Sequence, residues 1–413
     1  MNSQLLLVLL VYLLIKGVEN IVALVNLQHL RRYGHKVPAG FNGFVDDATL
    51  SRMRDYTVDH NRVNFLSSGL DVLITLFFIF GGLLDLYNSW LAGHGWSNAV
   101  SGICFFLFLL YGGFVLQIPF DLYKTFVIEE KYGFNRRTFR LWLADTVKEL
   151  LLTTVISVFL LWVTFRLMVW LPGFWWLFLW AFMLLFKLFM LYLSPYVIEP
   201  LFNKFTPIND KKLEEKIKDL LAGAGLSVSR VFTMDASKRS GHGNAYFSGI
   251  GHAKRIVLFD TLLAKNSEDE ILAILAHEAG HWKKKHILKR LVLMEVVSFV
   301  GLFCVWWFMQ NNVLLDIFSI KEPTLYANLL LVGFCAMLVA FPVKPLSGYL
   351  SRKHEWEADA FAVELFGKPH ALARALVKLG RDNLANLHPH PWQVALYYGH
   401  PPLPQRVKKL MGD

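Results

Sequence analysis

Two histidines four residues apart, with a glutamate directly after the first, form an HExxH pattern at Ala276-His277-Glu278-Ala279-Gly280-His281. On a helix this spacing puts both imidazoles on one face, where their nitrogens can hold one zinc ion. Glu278 falls about 100° around the axis from His277, beside the ligand face, where its carboxylate can act on a water held by the metal. Five positions with three fixed recur by chance in on the order of a few per cent of chains of this length, so the pattern needs a third ligand. The stretch from Ser351 to Glu364 supplies a candidate, because Glu355 and Asp359 stand one helical turn apart on the same face. A carboxylate completes a His₂Glu catalytic zinc set, and an acid one turn further on can accept the second ring N–H of a zinc-bound histidine. Glu357 points roughly the other way. Taken alone the stretch is a solvated charged helix; HExxH upstream is what makes it a source of ligands.

These side chains need rigid carriers. Ser267 is placed to cap a helix, Glu268, Asp269 and Glu270 put negative charge in its first turn, and the Leu/Ile/Ala run that follows has no breaker before Gly280. Beyond His281 the chain passes through Lys283, Lys284, Lys285, Lys289 and Arg290 into an apolar run, so the lysines mark a membrane interface and His286 among them reads as a surface residue. Upstream, 211–223 has the pattern of an amphipathic helix with Leu213, Ile217, Leu220 and Leu221 on one side. Short β-like pieces follow at 228–234, 244–250 and 255–259, with a Gly/Ser/His-rich loop at 237–243 and a Pro-punctuated linker at 200–207 before them. The segment 199–290 is therefore expected to be a small soluble α+β unit.

The rest of the chain is membrane. With 413 residues, 55% of them hydrophobic and 15% aromatic, and a mean hydropathy of +0.41, the chain is too apolar for an ordinary soluble protein. Its apolar residues fall into blocks at 5–25, 66–86, 99–120, 150–170, 174–197, 291–309 and 325–341, which makes seven expected spans. The first block lacks a basic leading region and a small-residue cleavage site before Gln28, and reads as a retained helix. Six basic residues lie between 28 and 63 and six between 121 and 149, whereas 87–98 has no Lys or Arg. Positive-inside topology then accounts for the net charge of +10 without a nucleic-acid partner. It puts the N-terminus outside or in a lumen, and both basic loops, the segment 198–290 and the C-terminus in the cytosol. The expected organisation is five spans in 1–198, the soluble unit 199–290 with the HExxH helix, spans six and seven in 291–347, and cytosolic C-terminal helices in 348–413. Lys16, Glu19, Asp71, Asp121, Arg166, Lys187 and Glu295 lie within or at the ends of spans, where they either pair and snorkel or line a water-filled cavity. Cys104, Cys304 and Cys335 sit in apolar segments without CxxC spacing, as hydrophobes and not as a disulfide framework.

Several stretches together resemble the type I CaaX prenyl proteases, integral-membrane zinc endopeptidases of gluzincin type. They are the HEAGHW helix, Ser351-Arg352 with Glu355 and Ala358-Asp359-Ala360-Phe361-Ala362, Ser240-Gly-His-Gly-Asn244-Ala-Tyr-Phe247, Arg255-Ile-Val-Leu-Phe-Asp-Thr-Leu262, Tyr132-Gly-Phe-Asn135, Ile198-Glu-Pro-Leu-Phe-Asn-Lys-Phe205, and Tyr398-Gly-His400-Pro-Pro-Leu403 followed by Arg406. The resemblance implies a mainly α, seven-span membrane fold that encloses a chamber, with the zinc site facing it from the cytosolic end. It implies one zinc ion per chain on His277, His281 and Glu355, Glu278 as catalytic acid/base, and removal of the last three residues from isoprenylated CaaX sequences, with some non-prenylated peptides also cut. It further implies that His400 donates a hydrogen bond to the developing oxyanion and that Arg406 pairs with a carboxylate of the site. Asn244-Ala245-Tyr246 resembles the edge strand on which such proteases align a peptide by β-augmentation, the alternative being a structural turn asparagine. The membrane implied is a bacterial cytoplasmic membrane or that of the endoplasmic reticulum. Two other readings stand beside this one. Quality-control zinc proteases of the HtpX type share HExxH and a downstream glutamate but have fewer spans. An inert membrane scaffold or transporter explains the spans and gives no reason for the metal motif.

Overall fold

The computed structural model describes residues 2–226, 228, 230–248 and 255–412. Among these residues, seven helices are long and apolar enough to cross a membrane. The first, α1 (Ser3–Tyr33), is capped by Asn2, whose side chain accepts from the Leu5 amide. The second runs through α2 (Asp47–Thr75) and a π turn, Leu76–Phe80, to a break at Gly81-Gly82, where Gly82 takes a left-handed backbone at φ +84°. This corrects the expected span at 66–86. The glycine pair inside that apolar run ends the helix, and the residues beyond it form the separate α3 (Leu83–Ala92). The helix α4 (Asn98–Tyr123) contains Pro119 and passes into a second π turn, Lys124–Glu129. Helices α5 (Phe139–Trp170) and α6 (Trp175–Leu193) follow, with the Pro172-Gly173 turn between them. A cavity of about 950 Å³ opens between α2, α3 and α4, walled by apolar side chains with Asp71 and Gln117 among them.

The charges inside the spans have partners. Lys16 pairs with Glu19 at 2.9 Å and Lys187 with Glu295 at 2.7 Å. Asp121 accepts from the Trp142 indole at 2.7 Å, and Asp71 accepts from Gln117 at 3.3 Å. The Arg166 guanidinium lies over the rings of Trp162 and Trp170. All three cysteines are free.

The chain then leaves the apolar layer through α7 (Ile198–Phe202) and a short strand, β1 (Phe205–Pro207). The stretch expected to be a linker is therefore structured. Pro207 is tolerated because β1 is a sheet edge, where a missing N–H breaks no ladder bond. The amphipathic helix α8 (Lys211–Gly223) buries Leu213, Ile217 and Leu221. Strands β2 (Arg230–Met234), β3 (Ala245–Ser248) and β4 (Arg255–Phe259) complete a sheet of order β1-β2-β4-β3, with β2 and β4 parallel and the outer pairings antiparallel. Part of the stretch expected at 244–250 lies outside the described residues, namely 249 and 250. Among the described residues β3 is the second edge, paired on one side only, with β4.

A short helix, α9 (Asp260–Lys265), leads to α10 (Glu268–Lys283), which begins with a full capping box: the Ser267 hydroxyl accepts from the Glu270 amide and the Glu270 carboxylate from the Ser267 amide. Only Lys284 and Lys285 separate α10 from the sixth membrane helix, α11 (His286–Met309). After α12 (Val313–Ile317), the seventh span α13 (Leu325–Ala340) continues through a 3₁₀ turn, Phe341–Val343, into α14 (Lys344–Phe366). The chain ends with α15 (Pro369–Asp382), α16 (Pro391–Tyr397) and α17 (Leu403–Met411). Ile271, Leu275 and Ala279 of α10 pack with Leu213 and Ile217 of α8 and with Ile256 and Leu258 of β4, so the HExxH helix is clamped on its apolar side by α8 and the sheet.

Candidate functional site

Helices α10 and α14 cross in contact, and Gly280 permits the approach, since a Cβ there would stand 2.9 Å from the Ala358 Cα. That crossing brings the two histidines of one helix against the glutamate of the other. His277 Nε2 and His281 Nε2 are 3.3 Å apart. Glu355 Oε2 is 3.4 Å from the first and Glu355 Oε1 3.3 Å from the second. Ligand atoms bound tetrahedrally at about 2.0–2.1 Å stand about 3.3–3.4 Å from one another, which is the spacing of the two ring nitrogens and of each from one oxygen of Glu355, so the three residues fit a zinc ion. Glu355 Oε2 is also buried and makes no hydrogen bond of acceptable angle among the described residues, although His400 Nδ1 lies at 2.9 Å and Arg406 Nη1 at 3.4 Å. A buried carboxylate oxygen left in that state is a position built for a cation.

Behind the ligand atoms His277 is held by a carboxylate. Its Nδ1 is 2.8 Å from Asp359 Oδ1, and Asp359 is gripped on both oxygens by Arg406, at 2.6 Å from Nη2 and 2.8 Å from Nε. Arg406 Nη2 also approaches His277 Nδ1 at 3.4 Å. A guanidinium only donates, so the shorter contact decides: Nδ1–H of His277 donates to Asp359, and Nε2 keeps its lone pair for a metal. Burial pulls the His277 pKa down, but Asp359 and Glu355 outweigh it and raise it to about 9. The pocket by itself favours a positive charge at this point. Burial also raises Glu278, against the opposing pull of His277 and His281, and a cation in the site acts in the same sense as those histidines.

His286, expected at the surface, is 4% exposed. Its Nδ1 lies 3.1 Å from His281 Nδ1 and its Nε2 3.0 Å from Glu357 Oε2. Sequence reasoning missed both groups. His286 is five residues from His281, outside helical register, and comes into reach because Lys285 adopts a left-handed backbone at φ +56° and turns the chain back on itself.

One cavity of about 530 Å³ joins most of the remaining candidates: Asn244 and Ala245 at the start of β3, Glu278, Glu355, His400 and Arg406. Leu372, Leu376 and Leu403 supply an apolar wall. The Asn244 carbonyl accepts from the Phe259 amide at 3.0 Å, and its side-chain oxygen accepts from the adjacent Ala245 amide at 2.9 Å. Tyr246 is not part of this wall. Its side chain alternates to the other face and donates to Glu199 at 2.9 Å. The side chain of His400 is 71% exposed at the cavity mouth, on the segment that Pro401 and Pro402 stiffen ahead of α17.

Family models match both halves of the chain: the CAAX prenyl protease N-terminal, five membrane helices, over residues 26–204, and peptidase family M48 over residues 207–412. The CAAX prenyl protease 1 homolog of Oryza sativa is 32% identical over 382 residues, covering 91% of this chain and 90% of the relative. CAAX prenyl protease 1 of Saccharomyces cerevisiae is 31% identical, with 91% and 88% covered, and the Homo sapiens homolog is 32% identical, also with 91% and 88% covered. The crystal structure of S. mikatae Ste24p superposes with a TM-score of 0.90 at 29% identity, over 99% of both chains.

Proposed function

Because the chain belongs to the CAAX prenyl proteases of peptidase family M48, we propose that this membrane metalloendopeptidase removes the last three residues of isoprenylated CaaX proteins and also accepts some non-prenylated peptides. His277, His281 and Glu355 hold one zinc ion, which when bound polarises both a water and the scissile carbonyl. Glu278 takes the proton released as the water attacks the carbonyl carbon and returns it to the leaving nitrogen. His400, exposed at the cavity mouth, donates to the developing oxyanion, a contribution of about 3 kcal/mol to the barrier. Asn244 and Ala245 offer the substrate a sheet edge, and the Asn244 amide holds a substrate carbonyl; Tyr246 takes part only through its backbone. Asp359 and Arg406 reach the chemistry through His277, whose ring they orient and whose tautomer they fix. The spans enclose the chamber that takes the lipid, with the zinc site at its cytosolic end and the N-terminus on the opposite side of the membrane.

The observation that carries this reading is the convergence of three residues from two different helices, with the two histidine Nε2 atoms 3.3 Å apart and each 3.3–3.4 Å from one carboxylate oxygen of Glu355. Two measurements test it. Glu278→Ala is expected to retain stoichiometric zinc while losing about 10²–10⁴ in turnover; undiminished turnover with full zinc content removes Glu278 from its role. A farnesylated CaaX peptide is expected to be cut far faster than the same peptide without lipid, and equal rates would replace prenyl processing with a broader proteolytic role.

A further inference from the structure

The two histidines of the HExxH helix present their Nε2 atoms to the same point, yet their Nδ1 atoms meet different partners. His277 donates to the buried Asp359–Arg406 pair. Among the described residues no carboxylate pairs with His281 Nδ1; the group within reach there is His286 Nδ1, at 3.1 Å. We propose that His286 and Glu357 form the positioning relay for His281, through which the first residue of a membrane helix sets the orientation of a zinc ligand. The inference rests on the reading of His277, His281 and Glu355 as the metal site.

Proton counting makes the relay specific. A histidine that gives its Nε2 lone pair to a metal carries its hydrogen on Nδ1, so His281 must donate there. A neutral imidazole has one donor and one acceptor, so His286 accepts at Nδ1 only with its own hydrogen on Nε2. That Nε2 lies 3.0 Å from Glu357 Oε2, which accepts. Every nitrogen in the chain His281, His286, Glu357 then has one use and one partner.

The surroundings hold the relay in place. His286 is 4% exposed, and its ring stacks on that of His354 at a centroid distance of 4.1 Å and an interplanar angle of 9°, which fixes the ring plane. His354 and Glu357 both stand on α14, one residue before and two residues after Glu355, so the helix that supplies the third ligand also supports the second. Two residues from Glu355 is about 200° around the helix, which explains why Glu357 serves His286 and not the metal. The backbone contributes as well. A left-handed conformation is disfavoured for lysine, and the one that Lys285 adopts is what turns His286 back toward α10.

Two substitutions of His286 separate a hydrogen-bonding role from a packing role. His286→Phe keeps the ring volume and the stack on His354 but removes the acceptor. His286→Asn loses the ring but places an amide oxygen close to the position of Nδ1. Zinc affinity, measured by competition with a chelator, is expected to fall about 10–100-fold in His286→Phe and to stay near the parent value in His286→Asn. Glu357→Leu is expected to fall between them, since it leaves the tautomer of His286 unspecified. The thermal midpoint of each chelated protein serves as the folding control. Chelated forms of equal stability whose zinc-induced rise in midpoint differs locate the effect at the metal. Zinc binding by His286→Phe equal to the parent, or weaker binding by Asn than by Phe, overturns the relay. A parent protein that takes up no zinc instead overturns the metal site on which the relay rests.

Discussion

His277, Glu355, Asp359 and Arg406 are 3–7% exposed, while the side chain of His400, which touches the same Glu355, is 71% exposed. The floor of the site is a closed set of charges in which every member compensates another. Its mouth is a hydrated histidine on a proline-stiffened segment. Burial divides the labour between them. In the floor, binding a cation and holding the fold together are the same task, because each buried charge is stabilised only by its neighbours. At the mouth, a side chain can serve the reaction without carrying any of the stability.

The sharpest way to break this comparison is to remove one charge from each region. Arg406→Leu leaves Asp359 buried without its bidentate partner, and loss of one member of a buried pair costs about 3–5 kcal/mol. A large fall in thermal midpoint and loss of zinc together are the expected outcome. His400→Ala is expected to leave midpoint and zinc content unchanged and to lower kcat about 10²–10³-fold, as for other single oxyanion donors. A variant at the mouth that destabilised the protein as much as Arg406→Leu would show that the two regions are not separate.

The floor is largely legible in the sequence, and the reason is local periodicity. The spacing of His277 with His281 and of Glu355 with Asp359 encodes shared helical faces, and faces survive whatever the tertiary arrangement. What escaped depends on backbone events that residue type does not announce. A lysine gives no sign of the left-handed conformation that Lys285 adopts, so the buried His286 was indistinguishable from its basic neighbours. The break at Gly81-Gly82 lay inside an apolar run long enough to pass for one span. β1 was hidden because a proline at a sheet edge and a proline in a linker look alike in one dimension. The close crossing at Gly280 and Ala358, which assembles the ligand set, joins positions 78 residues apart and has no local signature.

A buried charge away from the site sharpens the comparison by showing whether burial alone, without the metal, couples a carboxylate to stability. Glu270 is 2% exposed at the start of the HExxH helix. It accepts from the Ser267 amide at 2.8 Å and pairs with Lys378 of α15 at 2.6 Å. Burial acts to raise its pKa, but Lys378 and the cap outweigh burial and hold it below the ordinary 4.5. A group depressed in the folded state stabilises above its unfolded pKa and loses that contribution as pH falls through the folded value. Glu270→Gln keeps an acceptor for the cap and removes the charge. The chelated variant is expected to melt below the chelated parent at pH 7 by an amount equivalent to about 1–2 kcal/mol, and the gap is expected to close as pH falls below about 4.5. If the gap persisted unchanged in acid, it would belong to packing or to the cap, and the Lys378 pair would contribute nothing. A gap that closes on schedule makes the acid lability of this helix independent of zinc, so that loss of metal at low pH and loss of the helix that holds it can be measured apart.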